Sequence, residues 1–187
     1  STQQETLFPY TTLFRSAKEH PLLHVVVRQE NVAEAKEAGF REVRRVFRSY
    51  DPIIHAPVDL TEADHRQFDA EVCFVGTWFP ERGPFFVDLL ERGVPLTLRG
   101  NRWKNSPEWP HLEKAFRGGP VFGTDYVKAL QCAKVSLGLN SKDNRDLHTT
   151  RSAEVPFIGS AFCAERTSQH ETQFIDSVDA MPIGPPQ

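Results

Sequence analysis

Eleven consecutive residues, Asn144-Arg145-Asp146-Leu147-His148-Thr149-Thr150-Arg151-Ser152-Ala153-Glu154, hold two carboxylates, two guanidinium groups, an imidazole and three hydroxyls. That set suits the binding of an anion, because guanidinium carries a fixed positive charge and hydroxyls donate hydrogen bonds. The stretch follows an apolar run, Val135-Ser136-Leu137-Gly138-Leu139, which reads as a buried strand, and precedes another, Ser160-Ala161-Phe162-Cys163-Ala164. In an open α/β sheet, ligands settle beyond the carboxyl ends of strands, where helix N-termini offer free N–H groups to phosphates. Thr149 and Thr150 are natural caps for such a helix, and Arg151 adds charge beside them.

The elements that must position these groups alternate along the chain. His24 to Val27 reads as a strand, Asn31 to Ala38 as a helix stopped by Gly39, and Val43 to Phe47 as a second strand. This is one βαβ unit, too small to enclose a core alone. Residues 49–69 are rich in Pro, Asp and His and read as a linker between domains. Val72 to Val75 is a continuous apolar run of the kind buried on both faces, ending at Gly76. A helix over Gly83 to Arg92 places Phe85, Phe86, Leu89 and Leu90 on one stripe and stops at Gly93. Pro95 to Leu98 is the next strand, and a Trp- and Pro-containing loop then leads to Val121-Phe122. Thr124 or Asp125 is expected to cap a short helix whose Val127 and Leu130 face inward. Repeated strand-helix alternation implies a parallel sheet with right-handed crossovers, an α/β Rossmann-like domain over residues 70–174. Residues 175–187 read as a polar, Pro-rich tail.

Composition narrows the class. The chain has 187 residues, of which 39% are hydrophobic and 25% charged, with a formal net charge of -3. Mild acidity gives no electrostatic reason to expect a nucleic-acid partner, and no apolar run is long enough to span a membrane. Cys73, Cys132 and Cys163 are odd in number and each lies in an apolar run, so they read as buried thiols of a reducing compartment, with the cytoplasm as the default. No metal site is expected, because no two cysteines stand close and His148 and His170 have no partner at ligand spacing.

Leu7-Phe8-Pro9-Tyr10-Thr11-Thr12-Leu13-Phe14-Arg15-Ser16 matches, residue for residue, one reading frame of a common sequencing adapter, CTCTTTCCCTACACGACGCTCTTCCGATCT. Residues 1–16 are therefore expected to be a disordered read artefact, and the natural protein to extend further at its N-terminus. On that expectation the chain is a fragment.

The stretch from His148 to Pro156, with Gly159 and Ala164-Glu165-Arg166-Thr167-Ser168-Gln169-His170, resembles the CgeB-like glycosyltransferases, a branch of the group 1 (GT-B) glycosyltransferases. Phe74-Val75-Gly76-Thr77-Trp78-Phe79-Pro80-Glu81-Arg82, Arg99-Gly100-Asn101-Arg102-Trp103, and Tyr50-Asp51-Pro52 with His55 and Pro57 fit the same family. The resemblance covers residues 24 to 174 and rests on ordered blocks rather than one short motif. It implies that residues 17–48 end an N-terminal Rossmann-like domain, and that residues 70–174 are most of a C-terminal domain for a nucleotide-sugar. It also implies a bacterial enzyme of hexosyltransferase type acting on an unknown acceptor (glycan, protein or small molecule), with the nucleotide-sugar as co-substrate and no separate cofactor.

Group 1 glycosyltransferases typically carry two glutamates with seven residues between them, the second opening a helix and accepting hydrogen bonds from the nucleotide ribose. The resemblance puts Glu154 in the second place and Asp146, with Leu147 to Ala153 between, in the first. Asp146 and Arg151 are then the catalytic candidates, and His148, Thr149, Thr150 and Arg151 face the donor diphosphate. Two have a plainer reading: Glu154 could simply complement its helix dipole, and His148 could be a hydrogen-bonded helix-cap histidine. Gly76 and Thr77 form a small-residue turn that lets a ligand approach the backbone. Arg82 could reach the same crevice or form a solvated pair with Glu81, and Arg99 with Gly100 points to the same rim. Trp78, Trp103 and Trp109 could stack on a base or sugar, with packing the favoured reading for each.

Ala153 stands where the family usually has phenylalanine, and Phe157-Ile158-Gly159-Ser160 where it has an Ala-Cys-Gly-Gly-like turn. Most of the acceptor-binding domain is absent, so the fragment is expected to be inactive alone. The alternative is a non-catalytic spore-maturation, structural or interaction protein that keeps the fold.

Overall fold

The computed structural model describes residues 23–141, 146–174 and 181–183, the last as backbone only. Residues 1–16, Asn144 and Arg145 lie outside the described residues. The described residues divide into two compact units, one ending at Phe47 and the other beginning at Arg48.

In the first unit, β1 (His24–Val26) pairs in parallel with β2 (Val43–Arg45), and α1 (Gln29–Glu37) connects them. Gly39 ends the helix at φ +94°, a left-handed conformation that side chains resist, and Phe40 returns to stack on His24 at 4.0 Å.

The second unit contains the whole segment expected to be a linker. Residues 49–69 carry α2 (Glu62–Phe68), started by a reciprocal cap: the Thr61 hydroxyl accepts from the Asp64 N–H, and the Asp64 carboxylate accepts from the Thr61 N–H. Asp64 also pairs with Lys128 at 2.8 Å on α5 (Gly123–Gln131), and Val58 exchanges two hydrogen bonds with the Gln131 side chain. Residues 49–69 thus carry contacts to α5 within the second unit.

Six parallel strands form the sheet: β3 (Ala70–Val75), β4 (Leu96–Arg99), β5 (Phe116–Gly118), β6 (Ala133–Gly138), β7 (Ala161–Glu165) and β8 (Met181–Ile183). Their spatial order is β5-β4-β3-β6-β7-β8, so the chain moves outward to one edge, returns to the centre and moves to the other. This is the doubly wound Rossmann order, and its topological switch point lies between β3 and β6. Two strands differ from expectation. β5 has three residues with one apolar side chain, too little pattern to mark a strand, and β8 lies inside the stretch read as a tail.

Alternation along the strands divides the core. Cys73 and Val75 face one side with Val127 and Leu130 of α5 and Val155 and Ile158 of α6 (Arg151–Ile158). Phe74, Leu98 and Leu137 face the other side with Phe86 of α3 (Arg82–Glu91), Trp103, and Leu112 of α4 (Trp109–Leu112). Val127, Val155, Phe86 and Leu112 are at most 1% exposed, so both faces are covered by helices.

The three tryptophans pack, as favoured. Trp103 is 1% exposed, its ring set edge-on to Phe74 and Phe86. Trp109 meets Phe116 edge-to-face, and Trp78 packs at the margin of the Phe74 cluster. Cys73 and Cys132 are buried, but Cys163 is only partly so.

Candidate functional site

The carboxyl ends of β3 and β4 are brought together by two glycines. The Gly76 N–H donates to the Arg99 carbonyl, and the Gly76 carbonyl accepts from the Trp103 indole at 2.9 Å. Gly100 takes φ +135°, and a Cβ there would overlap the Gly76 carbonyl. Only glycine permits this approach, which lays the strand ends flat beneath a cavity of about 370 Å³.

Val75, Gly76 and Thr77 form one wall of that cavity, with Gly100 and Asn101 beside them. Pro120 to Gly123 and Tyr126 come from the turn after β5 and the first turns of α5, and Thr150, Arg151 and Glu154 from the start of α6. His55 enters from the segment before α2. The site therefore lies beyond the strand carboxyl ends near the switch point, where open α/β sheets bind ligands.

Arg151, which lines the cavity, donates from Nε to the Val75 carbonyl at 2.8 Å, so one nitrogen of its guanidinium is tied to the end of β3. Thr150 sits at the helix N-cap without using its hydroxyl as a cap, contrary to the capping expectation. Ser152 serves the first turn instead, accepting from the Thr149 N–H and hydrogen-bonding His170 Nε2 at 2.8 Å. His170 Nδ1 contacts the Glu165 carbonyl, which can only accept, so Nδ1 carries a proton, and in the neutral ring Nε2 then accepts from the Ser152 hydroxyl. Burial holds His170 below the ordinary histidine pKa, in keeping with a neutral ring.

Glu154 is held by Tyr126, whose hydroxyl donates to Oε2 at 2.6 Å, while His55 Nε2 stands 3.7 Å from Oε1. Burial, with the neighbouring Glu154 charge, pushes the Tyr126 phenol far above its usual range, so it stays a donor at neutral pH.

Four expected ligand groups are otherwise engaged. His148 is 3% exposed and does not line the cavity; its Nε2 accepts from the Arg48 N–H and its Nδ1 meets Gln169 Oε1. Asp146 lies 3.6 Å from the Arg48 guanidinium, its carboxylate nearly buried, and it too is absent from the cavity wall. Arg82 is no solvated partner of Glu81. Its guanidinium donates to the carbonyls of Thr77 at 2.7 Å and Leu139 at 3.1 Å, between the rings of Phe74 and Phe79, so it ties the ends of β3 and β6. Arg99 donates to the carbonyls of Gln67 and Arg117 over the Phe68 ring, which spends it on bracing α2 against β5. Burial lowers the pKa of both arginines, and each meets that cost with carbonyl acceptors.

Of the expected site residues, the structure thus gathers Gly76, Thr77, Thr150, Arg151 and Glu154, with Gly100 of the expected rim, around one cavity. Tyr126, Phe122 and His55 were missed. His55 was visible as part of a motif but carried no role, and Phe122, 77% exposed at the cavity edge, reads in sequence as an ordinary apolar residue.

At the opposite ends of the strands, His65, Asp69 and Cys132 bring an imidazole nitrogen, a carboxylate oxygen and a sulfur within 4.8 Å of one another. These are donor types that accept a divalent cation. Sequence spacing gave no hint of the grouping, since Cys132 reaches it from just past the end of α5; His65 and Asp69 are also hydrogen-bonded to each other at 2.7 Å.

Residues 82–186 match the model of a family described as glycosyl transferase-like. The chain belongs to this glycosyl transferase-like family. The match runs from α3 through β8 and contains Arg151, Glu154, Tyr126 and Gly100 of the cavity wall, while Gly76 and His55 precede it. No curated protein matches the chain. Membership implies a sugar donor and an acceptor, and a Rossmann-like parallel sheet is the fold such a domain uses. Among the described residues of this glycosyl transferase-like chain, no helix is long and apolar enough to cross a membrane.

Proposed function

We propose that the cavity binds a nucleotide-sugar, and that the chain is the donor-binding part of a cytoplasmic, CgeB-like GT-B glycosyltransferase of hexosyltransferase type. The observation that carries the reading is the pairing, on one helix, of Arg151 at the N-terminus and Glu154 one turn later, both facing a cavity beside the switch point.

The chemistry follows from those positions. A diphosphate beside α6 would meet the Arg151 guanidinium and the positive end of the helix dipole. Its negative charge grows as the sugar departs, so donors fixed there stabilise the transition state more than the bound substrate. Glu154, which can only accept hydrogen bonds when ionised, suits the hydroxyls of a ribose. Gly76 and Thr77 leave room for the ligand to lie against backbone.

Asp146 favours a second reading at the catalytic position alone. Its pairing with Arg48, away from the cavity wall, is what a non-catalytic member that keeps the fold would have.

Thermal-shift titration of the full chain with UDP, GDP, dTDP and their sugar conjugates tests the reading, since a ligand that binds only the folded state raises its melting temperature. A saturable shift, lost in Glu154→Ala, is expected. A shift unchanged by Glu154→Ala would refute the assigned site, and no shift from folded protein would favour the non-catalytic reading.

A further inference from the structure

We infer that His55 and Tyr126 are positioning residues that hold the Glu154 carboxylate ready for both hydroxyls of an intact ribose, so that the cavity selects ribonucleoside diphosphates over deoxy forms. The inference rests on the nucleotide-binding reading above and goes further by naming what orients the acceptor.

The two carboxylate oxygens are held from different elements. Oε2 accepts from Tyr126 on α5, and Oε1 faces His55 Nε2. His55 Nδ1 accepts from the Asp51 N–H at 2.9 Å, so the proton of the neutral ring sits on Nε2, the nitrogen nearest Glu154. The turn presenting this imidazole is internally braced: Asp51 Oδ1 accepts from the N–H groups of Ile53 and Ile54, and the Asp51 carbonyl accepts from the His55 N–H. Tyr50 stacks on Phe157 at 3.9 Å, so the same segment is anchored on the helix that carries Glu154.

A carboxylate oxygen can accept more than one hydrogen bond. With Tyr126 on Oε2 and His55 beside Oε1, each oxygen of this cavity-lining carboxylate keeps capacity to accept a further donor, and a vicinal diol supplies two. Holding the group in advance avoids the entropy cost of ordering it on binding. A ligand lacking one hydroxyl would leave an oriented acceptor unpaired, the circumstance in which polar sites discriminate most strongly.

The test is isothermal titration of the full chain with UDP, GDP and ADP and with their 2′-deoxy counterparts. The ribo form is expected to bind roughly tenfold or more tightly than the deoxy form. Tyr126→Phe and His55→Ala should each shrink that ratio several-fold, His55→Gln, which keeps a donor, should restore much of it, and neither loss should appear in a Glu154→Ala background. Equal weakening of ribo and deoxy ligands would overturn the positioning role, as would a loss that persists without Glu154. Absence of nucleotide binding by folded protein, or affinities untouched by Glu154→Ala, would instead refute the nucleotide reading and the ribose selection with it. The His55 ring is then judged separately by its 15N signals, where a proton on Nε2 is expected and one on Nδ1 would overturn the orientation.

Discussion

The Tyr126 hydroxyl donates to Glu154 at 2.6 Å, which joins the helix after β5 to the helix after β6 across the mouth of one cavity. Neither residue is near the other in sequence, yet the Tyr126 hydroxyl fixes one oxygen of a helix-start glutamate that lines the cavity.

Arg151 divides its work between the Val75 carbonyl and the cavity. Arg151→Ala should weaken binding of nucleoside diphosphates by about 10- to 100-fold, the equivalent of one or two charge-assisted hydrogen bonds, while leaving free nucleosides nearly unaffected. Isothermal titration of each ligand class decides this; equal losses for both would mean that Arg151 acts only through Val75.

Gly100→Ala should be among the most damaging single substitutions, since it adds a Cβ against the Gly76 carbonyl at a backbone angle that alanine resists. A cost of about 3 kcal/mol or more is expected, or a fall of roughly 6–12 °C in melting temperature. Gly119→Ala, with open space around its Cβ, is the control and should shift melting by little.

Acid should weaken the brace between α2 and α5. The Lys128 ammonium, then the Thr61 hydroxyl and N–H, hold the Asp64 carboxyl well below the usual carboxylate range. The unfolded chain therefore binds this proton at higher pH than the folded one. The stabilisation is present above the unfolded value near ~3.9 and is lost as pH falls through the folded value. Urea midpoints of wild type and Asp64→Asn should differ at pH 7 and converge as the solution is acidified from pH 4 downward.

His170 adds a second acid-sensitive contact at a milder pH. Its folded pKa is depressed by burial, so the unfolded chain takes up this proton first as pH falls below about 6.5. Stability should decline between pH 7 and 5, and His170→Gln should flatten that part of the curve at some cost at neutral pH, as read from denaturant midpoints.

Burial pushes the Cys73 thiol up to about 12, opposed only in part by Arg99. Iodoacetamide at pH 8 should therefore leave Cys73 unlabelled in folded protein and modify it rapidly in urea, as peptide mass mapping would show.

The fold was legible where apolar runs end at glycine. Gly39, Gly76 and Gly93 punctuate elements that the structure places within one or two residues of expectation. It was not legible where polar residues organise the chain. The Thr61 and Asp64 cap lies in a segment whose prolines and acids suggest a loop, yet two side chains closing on each other's N–H groups start a helix there. Arg82 and Arg99 looked like ligand groups because charge at a strand end usually faces solvent; each is buried because two backbone carbonyls wait for it. At the site, contiguous sequence supplied Thr150, Arg151 and Glu154, which one helix start can hold together. His55 and Tyr126 arrive through the sheet topology, and His148 and Asp146, despite their neighbours, turn to Arg48.

Trp103 is sealed in the core with its indole N–H on the Gly76 carbonyl, the same peptide that lies against the cavity. The emission of a buried indole depends on the field at its nitrogen, so a molecule that settles on Gly76 and polarises that carbonyl should change the colour or yield of Trp103 fluorescence. The cavity floor thus has a built-in optical probe, and occupancy could be followed in unlabelled protein.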